Sequence, residues 1–363
     1  MAKEEPSFFN LIKIYKPYFD KYDYFSDFFS LISNLIYKDN DNSFSLKNKL
    51  YYSIIASSNI GTRILIEEFK SKYLSYGGDT SWIDQGINAQ SIPKHIKGFA
   101  KMSDILVHKP WIIHWAHFAE FDNELNIFLF QSAIILTTIH RFATIISGLN
   151  IFIKNDLKTK NIEDKDIIEL IENNDYKNIK NKYVLNPIEY ENFDQHNDKY
   201  LYEDDFEWKI NAKYFFENYA EKEMNFLEKE FNSLDKLQND KEEEEENIFL
   251  KKNAIEKYVG IILGIKDREY DYHNTNLALS IDLKTIIKKI ACFPETLQEE
   301  NLEYLLIRLS EKNIIRLILL VTAIKQKICL TFFAKAFDDF STNKKKLNYN
   351  QTNNNEDYQD NNN

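Results

Sequence analysis

Cysteine is scarce: the 363-residue chain has two, Cys292 and Cys329, 37 positions apart. That spacing excludes a disulfide framework and a cysteine-based zinc site, and it fits a reducing compartment. Glycine and proline are scarce too, at 8 and 6 residues, too few for a turn-rich β fold. Basic charge is in deficit, with 46 Lys and Arg against 57 Asp and Glu and a formal charge of -11. Nucleic-acid binding needs a basic surface to neutralise phosphates, so no nucleic-acid partner is expected. The acidic start MAKEEPSFFN lacks the basic and apolar regions of a signal peptide. The sequence also has no phosphate-cradling glycine loop, nucleophile elbow or HExxH motif.

What is present suffices for real cores: 44% hydrophobic and 15% aromatic residues. The apolar stretch from Ile127 to Ile153 is interrupted by Gln131, Thr137, Thr138, His140, Arg141 and Asn150. Arg in mid-bilayer is expensive, so a buried core helix is expected there and no membrane insertion. His140 and Arg141 on that helix are expected to satisfy buried carbonyls or a carboxylate. Residues 7–37 predict one or two amphipathic helices broken around Lys16-Pro17, and Ser45 is a plausible N-cap for the next helix.

The stretch Leu50–Asp79 predicts one long helix with Tyr51, Ile55, Leu65, Phe69 and Tyr73 on one face. Ser58 and Thr62, beside Gly61, leave a notch in that face. Such a notch is either a close helix–helix crossing or a place for a ligand or reactive side chain. Gly77-Gly78 ends the helix, and Thr80–Ser91 follows as a loop.

Composition divides the chain into a helical lobe over 1–153, a polar linker over 154–199 expected to be disordered, a second helical lobe over 200–341, and a disordered low-complexity tail over 342–363. In the second lobe, helices are predicted at about 247–265, 276–290, 296–312 and 313–337. The fold class is all-α, without a credible strand pattern.

Two blocks carry a family resemblance. The first is GGDTSW at Gly77–Trp82, then HKPWII at His108–Ile113 and His117. The second is YVGIILGIKDREYDYHNTN at Tyr258–Asn276, then IKKIACFPE at Ile287–Glu295 and LSEKN at Leu309–Asn313. In order and separation these resemble the sestrin family, over roughly residues 10–152 and 200–340. The resemblance implies two structurally similar helical lobes, the first akin to the alkylhydroperoxidase AhpD.

In that first lobe, sestrins carry a reactive cysteine, a tyrosine two residues on and a histidine seven residues on. Counting back from Gly77-Gly78-Asp79 puts these positions on Thr62, Ile64 and Phe69. A threonine hydroxyl is not oxidised by peroxide, and Ile64 and Phe69 cannot move protons. No catalytic residue is therefore expected here, and an AhpD-like peroxidase acting in the response to reactive oxygen species is the disfavoured alternative.

The family's second activity implies a leucine site with a glutamate for the amine, an arginine for the carboxylate and a tryptophan floor. These fall on Glu311, Lys252 and Tyr304. Lysine neutralises a carboxylate but lacks arginine's planar bidentate pairing. The family's partner-binding surface includes an aspartate pair before Tyr-Asp-Tyr. Here the pair is Arg268-Glu269, followed by Tyr270, Asp271 and Tyr272.

His114 and His117, spaced i, i+3 near His108, are read as structural, and neither metal nor cofactor is expected. The expectation is a sestrin-like stress and nutrient regulator that restrains TOR signalling through a GATOR-type partner, gated by leucine or another amino acid. Its expected location is the cytoplasm, extending to the nucleus.

Overall fold

The computed structural model describes residues 14–37, 44–121, 126–159, 168–169, 171, 182–183, 200–237, 248–297 and 305–359. Its α-helices are α1 (Lys16–Phe19), α2 (Tyr24–Tyr37), α3 (Leu46–Ile60), α4 (Arg63–Ser75), α5 (Thr80–Gln85), α6 (Lys94–His108) and α7 (Asn126–Thr159). After the polar segment come α8 (Lys213–Lys236), α9 (Lys252–Ile262), α10 (Tyr272–Ala278), α11 (Ile281–Cys292) and α12 (Glu311–Gln359). Among the described residues the fold is all-α apart from a two-residue parallel pair, β1 (Leu201–Tyr202) and β2 (Ile265–Lys266), which alternation along the sequence is too short to reveal.

The fold is organised by α7 and α12, which run antiparallel through the centre. Phe130 of α7 meets Phe333 and Phe337 of α12, Thr138 meets Gln326, and Gly148 lies against Ile318. A Cβ on Gly148 would come within 2.7 Å of Ile318 Cδ1, so the missing side chain sets the closeness of this crossing. Both helices are long and apolar enough to span a membrane, and 94% of each apolar window is buried inside the protein. Their composition is thus that of helices enclosed on all sides. Helices α3, α4 and α6 pack on one flank, α2 against α8 on another, and α9 and α11 against α12. The buried apolar residues of both halves form one continuous cluster.

The single helix expected over 50–79 is two helices. Gly61 adopts φ 80, the left-handed conformation of a helix C-cap, and its N–H closes on Ser57 O. Thr62 then stands at the N-cap of α4. The Ser45 cap holds, its hydroxyl accepting from Asn48 N at 3.2 Å. The break near Pro17 falls just after it: Pro17 occupies the first turn of α1, where its missing N–H is harmless. The expected loop after Gly78 contains α5, capped by Asp79.

Within the 154–199 segment, α7 runs on to Thr159, and the described residues Ile171 and Tyr183 are buried. Tyr183 packs edge-on against Tyr51 and donates to Ile83 O at 3.0 Å. Backbone at Lys182 lies so close to Gly86 that a Cβ there would sit 1.9 Å from Lys182 O. In the second half, the helix expected over 276–290 is α10 and α11, separated by the Ser280 cap. The one expected over 296–312 lies partly outside the described residues, and its end is a turn before α12. Helix α12 continues to Gln359, across the tail that composition marks as low-complexity.

Candidate functional site

The notch around Thr62 is a helix crossing. Thr62 is 3% exposed, and its Oγ1 lies 3.1 Å from Ala143 O and 3.1 Å from Ser147 Oγ on α7. Ser147 Oγ also donates to Ala143 O at 3.0 Å. The position that the resemblance assigns to a nucleophile therefore holds a hydroxyl tying α4 to α7. Ile64 and Phe69 are buried core residues, with no group for proton transfer.

Neither cysteine restores a thiolate. Both are free and buried. Burial pushes the Cys292 thiol up to about 11 and the Cys329 thiol up to about 12. Cys329 Sγ donates to Leu106 O at 3.0 Å. Thiols held protonated in this way are poor nucleophiles at neutral pH.

A polar layer runs beneath the notch. Arg141 Nη1 donates to Glu230 Oε2 at 2.6 Å and to Gln326 at 3.2 Å, while Nη2 donates to Tyr24 Oη at 2.6 Å. Tyr24 in turn donates to Glu230. Burial alone would lower the Arg141 pKa, but the charge of Glu230 and the Tyr24 partner outweigh it, and the value is raised. The carboxylate expected for Arg141 is thus Glu230. His140 pairs through Nε2 with Ser103 Oγ at 2.9 Å, and Ser103 donates to Asn59 Oδ1 at 2.7 Å. Burial, then the charges of Lys325 and His108, hold the His140 pKa well below its usual range. His140 is accordingly neutral at pH 7.

Of the residues proposed for an amino-acid ligand, Glu311 and Lys252 each meet a residue of opposite charge. Glu311 opens α12 and pairs with Lys21 at 2.7 Å. Lys252 opens α9 and pairs with Asp235 at 2.7 Å. It acts electrostatically on Lys327, which lies roughly 24 Å beyond Glu311 along α12 at 1.5 Å per residue. Tyr304 lies outside the described residues.

His108 is buried against Asp104 at 2.7 Å, and the His114 and His117 rings pack on each other at 4.1 Å. Among the described residues, no three His, Cys, Asp or Glu groups converge as metal ligands.

The second candidate surface is built by β1 and β2. Leu201 N donates to Gly264 O at 2.9 Å and Glu203 N to Lys266 O at 3.2 Å. That register lays the acidic turn after β1 against the loop after β2. Arg268 is clamped there: Nε lies 2.9 Å from Asp204 Oδ2, Nη2 lies 2.9 Å from Asp205 Oδ1, and the guanidinium covers the Tyr202 ring at 4.6 Å. Hydrogen bonding to Asp205, then its charge and that of Asp204, raise the Arg268 pKa. Asp267 accepts from Glu269 N at 2.8 Å. Asp271 caps α10, accepting from Asn274 N at 3.1 Å. Tyr270 and Tyr272 meet edge to face at 4.4 Å.

Arg268 is therefore answered by two aspartates, and the surface stays acidic. Asp204, Asp205 and Tyr202 are contributors that the sequence reading missed. The cue was the acidic pair within YLYEDDFEW, but only the strand pairing shows which residue it faces.

Comparison with known proteins gives a match to the family described as PA26 p53-induced protein (sestrin), over residues 19–186 and 171–340. The chain is 24% identical to Sestrin-2 of Bos taurus over 139 residues, covering 37% of this chain and 28% of that relative. It is 26% identical to the Sestrin homolog of Drosophila melanogaster over 93 residues, covering 26% of this chain and 18% of the relative. A shorter stretch of 71 residues is 39% identical to Sestrin-2 of Pongo abelii, covering 19% of this chain and 15% of that relative. The matches thus span less than a third of each of these relatives.

Proposed function

Because the chain belongs to the sestrin family, we propose that it is a sestrin-like stress and nutrient regulator acting by protein contact, which restrains TOR signalling through a GATOR-type partner. The observation that carries this reading is the acidic surface at β1 and β2. Asp204 and Asp205 compensate Arg268, so a basic partner patch still meets net negative charge beside Tyr270 and Tyr272. Complementary charge of this kind steers association and fixes register. Capture of a GATOR-type complex by the purified chain, and its loss on charge reversal at Asp204 and Asp205, tests the reading.

The alternative, an AhpD-like peroxidase, requires a thiolate at the α3–α4 junction. Thr62 offers a hydroxyl bonded into α7 instead, and both thiols of the chain are buried and protonated. Amino-acid gating is a separable part of the proposal. A ligand held by both Glu311 and Lys252 would join the start of α12 to the start of α9 in one closed state. A rise in melting temperature with leucine, abolished by Glu311→Ala, would report that closed state. A melting temperature independent of leucine removes gating and leaves the contact function standing.

A further inference from the structure

Between α7 and α12 lies a cavity of about 10 Å³, walled by His140, Arg141 and Thr144 on one side and Thr322, Lys325 and Gln326 on the other. Its lining carries two cationic side chains and no carboxylate. Glu230, outside the lining, pairs with Arg141 through Nη1; burial lowers the Lys325 pKa, and electrostatic interaction with Cys329, Cys292 and Glu295 opposes that shift. Arg141 Nε is fully buried and has no hydrogen-bond partner, although both other guanidinium nitrogens are engaged. A buried donor of this kind calls for an acceptor.

The hydroxyls on both walls are committed as donors to backbone carbonyls of their own helices. Thr144 donates to His140 O at 2.9 Å and Thr322 to Ile318 O at 2.8 Å. The volume admits a single small particle, which rules out a carboxylate, a phosphate or an amino acid. With Arg141 and Lys325 on opposite walls and Arg141 Nε buried without a hydrogen-bond partner, we propose that this cavity binds a single monatomic anion, chloride under physiological conditions. The ion accepts from Arg141 Nε and lies beside the Lys325 ammonium. It would link α7 to α12 at the polar layer that joins the two halves.

Crystals of the full chain soaked in bromide test this directly. An anomalous peak within hydrogen-bond reach of Arg141 Nε is expected, and density of a water alone overturns the proposal. In solution, replacing gluconate by about 200 mM bromide at constant ionic strength should raise the melting temperature by about 2 °C. Lys325→Met, which keeps the volume and removes one cation, should abolish that rise. Equal melting temperatures in gluconate and bromide, or a full halide response in the variant, contradict the site. Should Lys325→Met fail to fold, the bromide peak in the wild-type crystal decides alone.

Discussion

Thr62 Oγ1 stands 3.1 Å from the carbonyl oxygen of Ala143, so the residue that opens α4 is tied to the middle of α7. Where a reactive side chain would project, the chain has a bond between helices. Thr62→Val keeps the shape and removes this bond, leaving Ser147 to satisfy Ala143 O. The expected cost is about 1 kcal/mol in urea unfolding. Peroxide consumption by the purified protein should stay at background before and after the change. Turnover in the wild type that depends on either cysteine would revive the peroxidase reading.

Arg141 and Glu230 are both essentially unexposed and lie 2.6 Å apart. Arg141→Met strands a buried carboxylate and should lower stability by about 3–5 kcal/mol. Adding Glu230→Met should recover much of that loss, because two apolar groups replace a pair whose desolvation was expensive. Denaturant titration of the single and double variants gives the coupling.

Gly86 has φ 61 and ψ -141, backbone that side-chain-bearing residues rarely adopt, and the Lys182 carbonyl fills its side-chain space. Gly86→Ala should therefore cost about 2 kcal/mol or more through strain and displacement of the Tyr183 contact. Tyr183→Phe, which loses only the bond to Ile83 O, should cost about 1 kcal/mol. Comparable melting temperatures for Gly86→Ala and wild type would contradict the packing described for Lys182 and Tyr183.

Asp79 caps α5, accepting from Ser81 N at 2.8 Å and from Ser91 Oγ at 3.1 Å. Hydrogen bonding from the Ser81 hydroxyl, then its backbone N–H, lowers the carboxyl pKa. A carboxyl depressed in the folded state contributes stability above its unfolded value of about 3.9 and loses it as pH falls through the folded value. Asp79→Asn preserves an acceptor without that titration. Its melting temperature should track wild type at pH 7 and fall less steeply below about pH 4.

Much of this was legible in the sequence. Scarce glycine and proline, with apolar stretches at helical spacing, specify the all-α class, and Arg141 within an apolar run calls for buried carbonyls or a carboxylate. That the partner is Glu230 comes from packing α8 against α7, and no local pattern identifies it. Gly61 lies inside an unbroken periodic run, so periodicity carries the helix through it. The break follows from a positive φ that the tertiary structure selects. For Glu311 and Lys252, order along the chain fixes which helix each residue opens, but not how far apart the two helix starts lie. The acidic turn at Asp204 and Asp205 acquires meaning only through a two-residue strand pair.

The most direct measurement is affinity capture with the purified full-length chain as bait and a reconstituted GATOR-type complex as prey. Wild type, Asp204→Lys/Asp205→Lys and Thr62→Val should be compared at fixed ionic strength. Retention by wild type and Thr62→Val, with at least about tenfold weaker retention by the double charge reversal, is the predicted result. Failure of the wild type to retain the complex, or equal retention by the charge-reversed protein, would contradict contact through this surface.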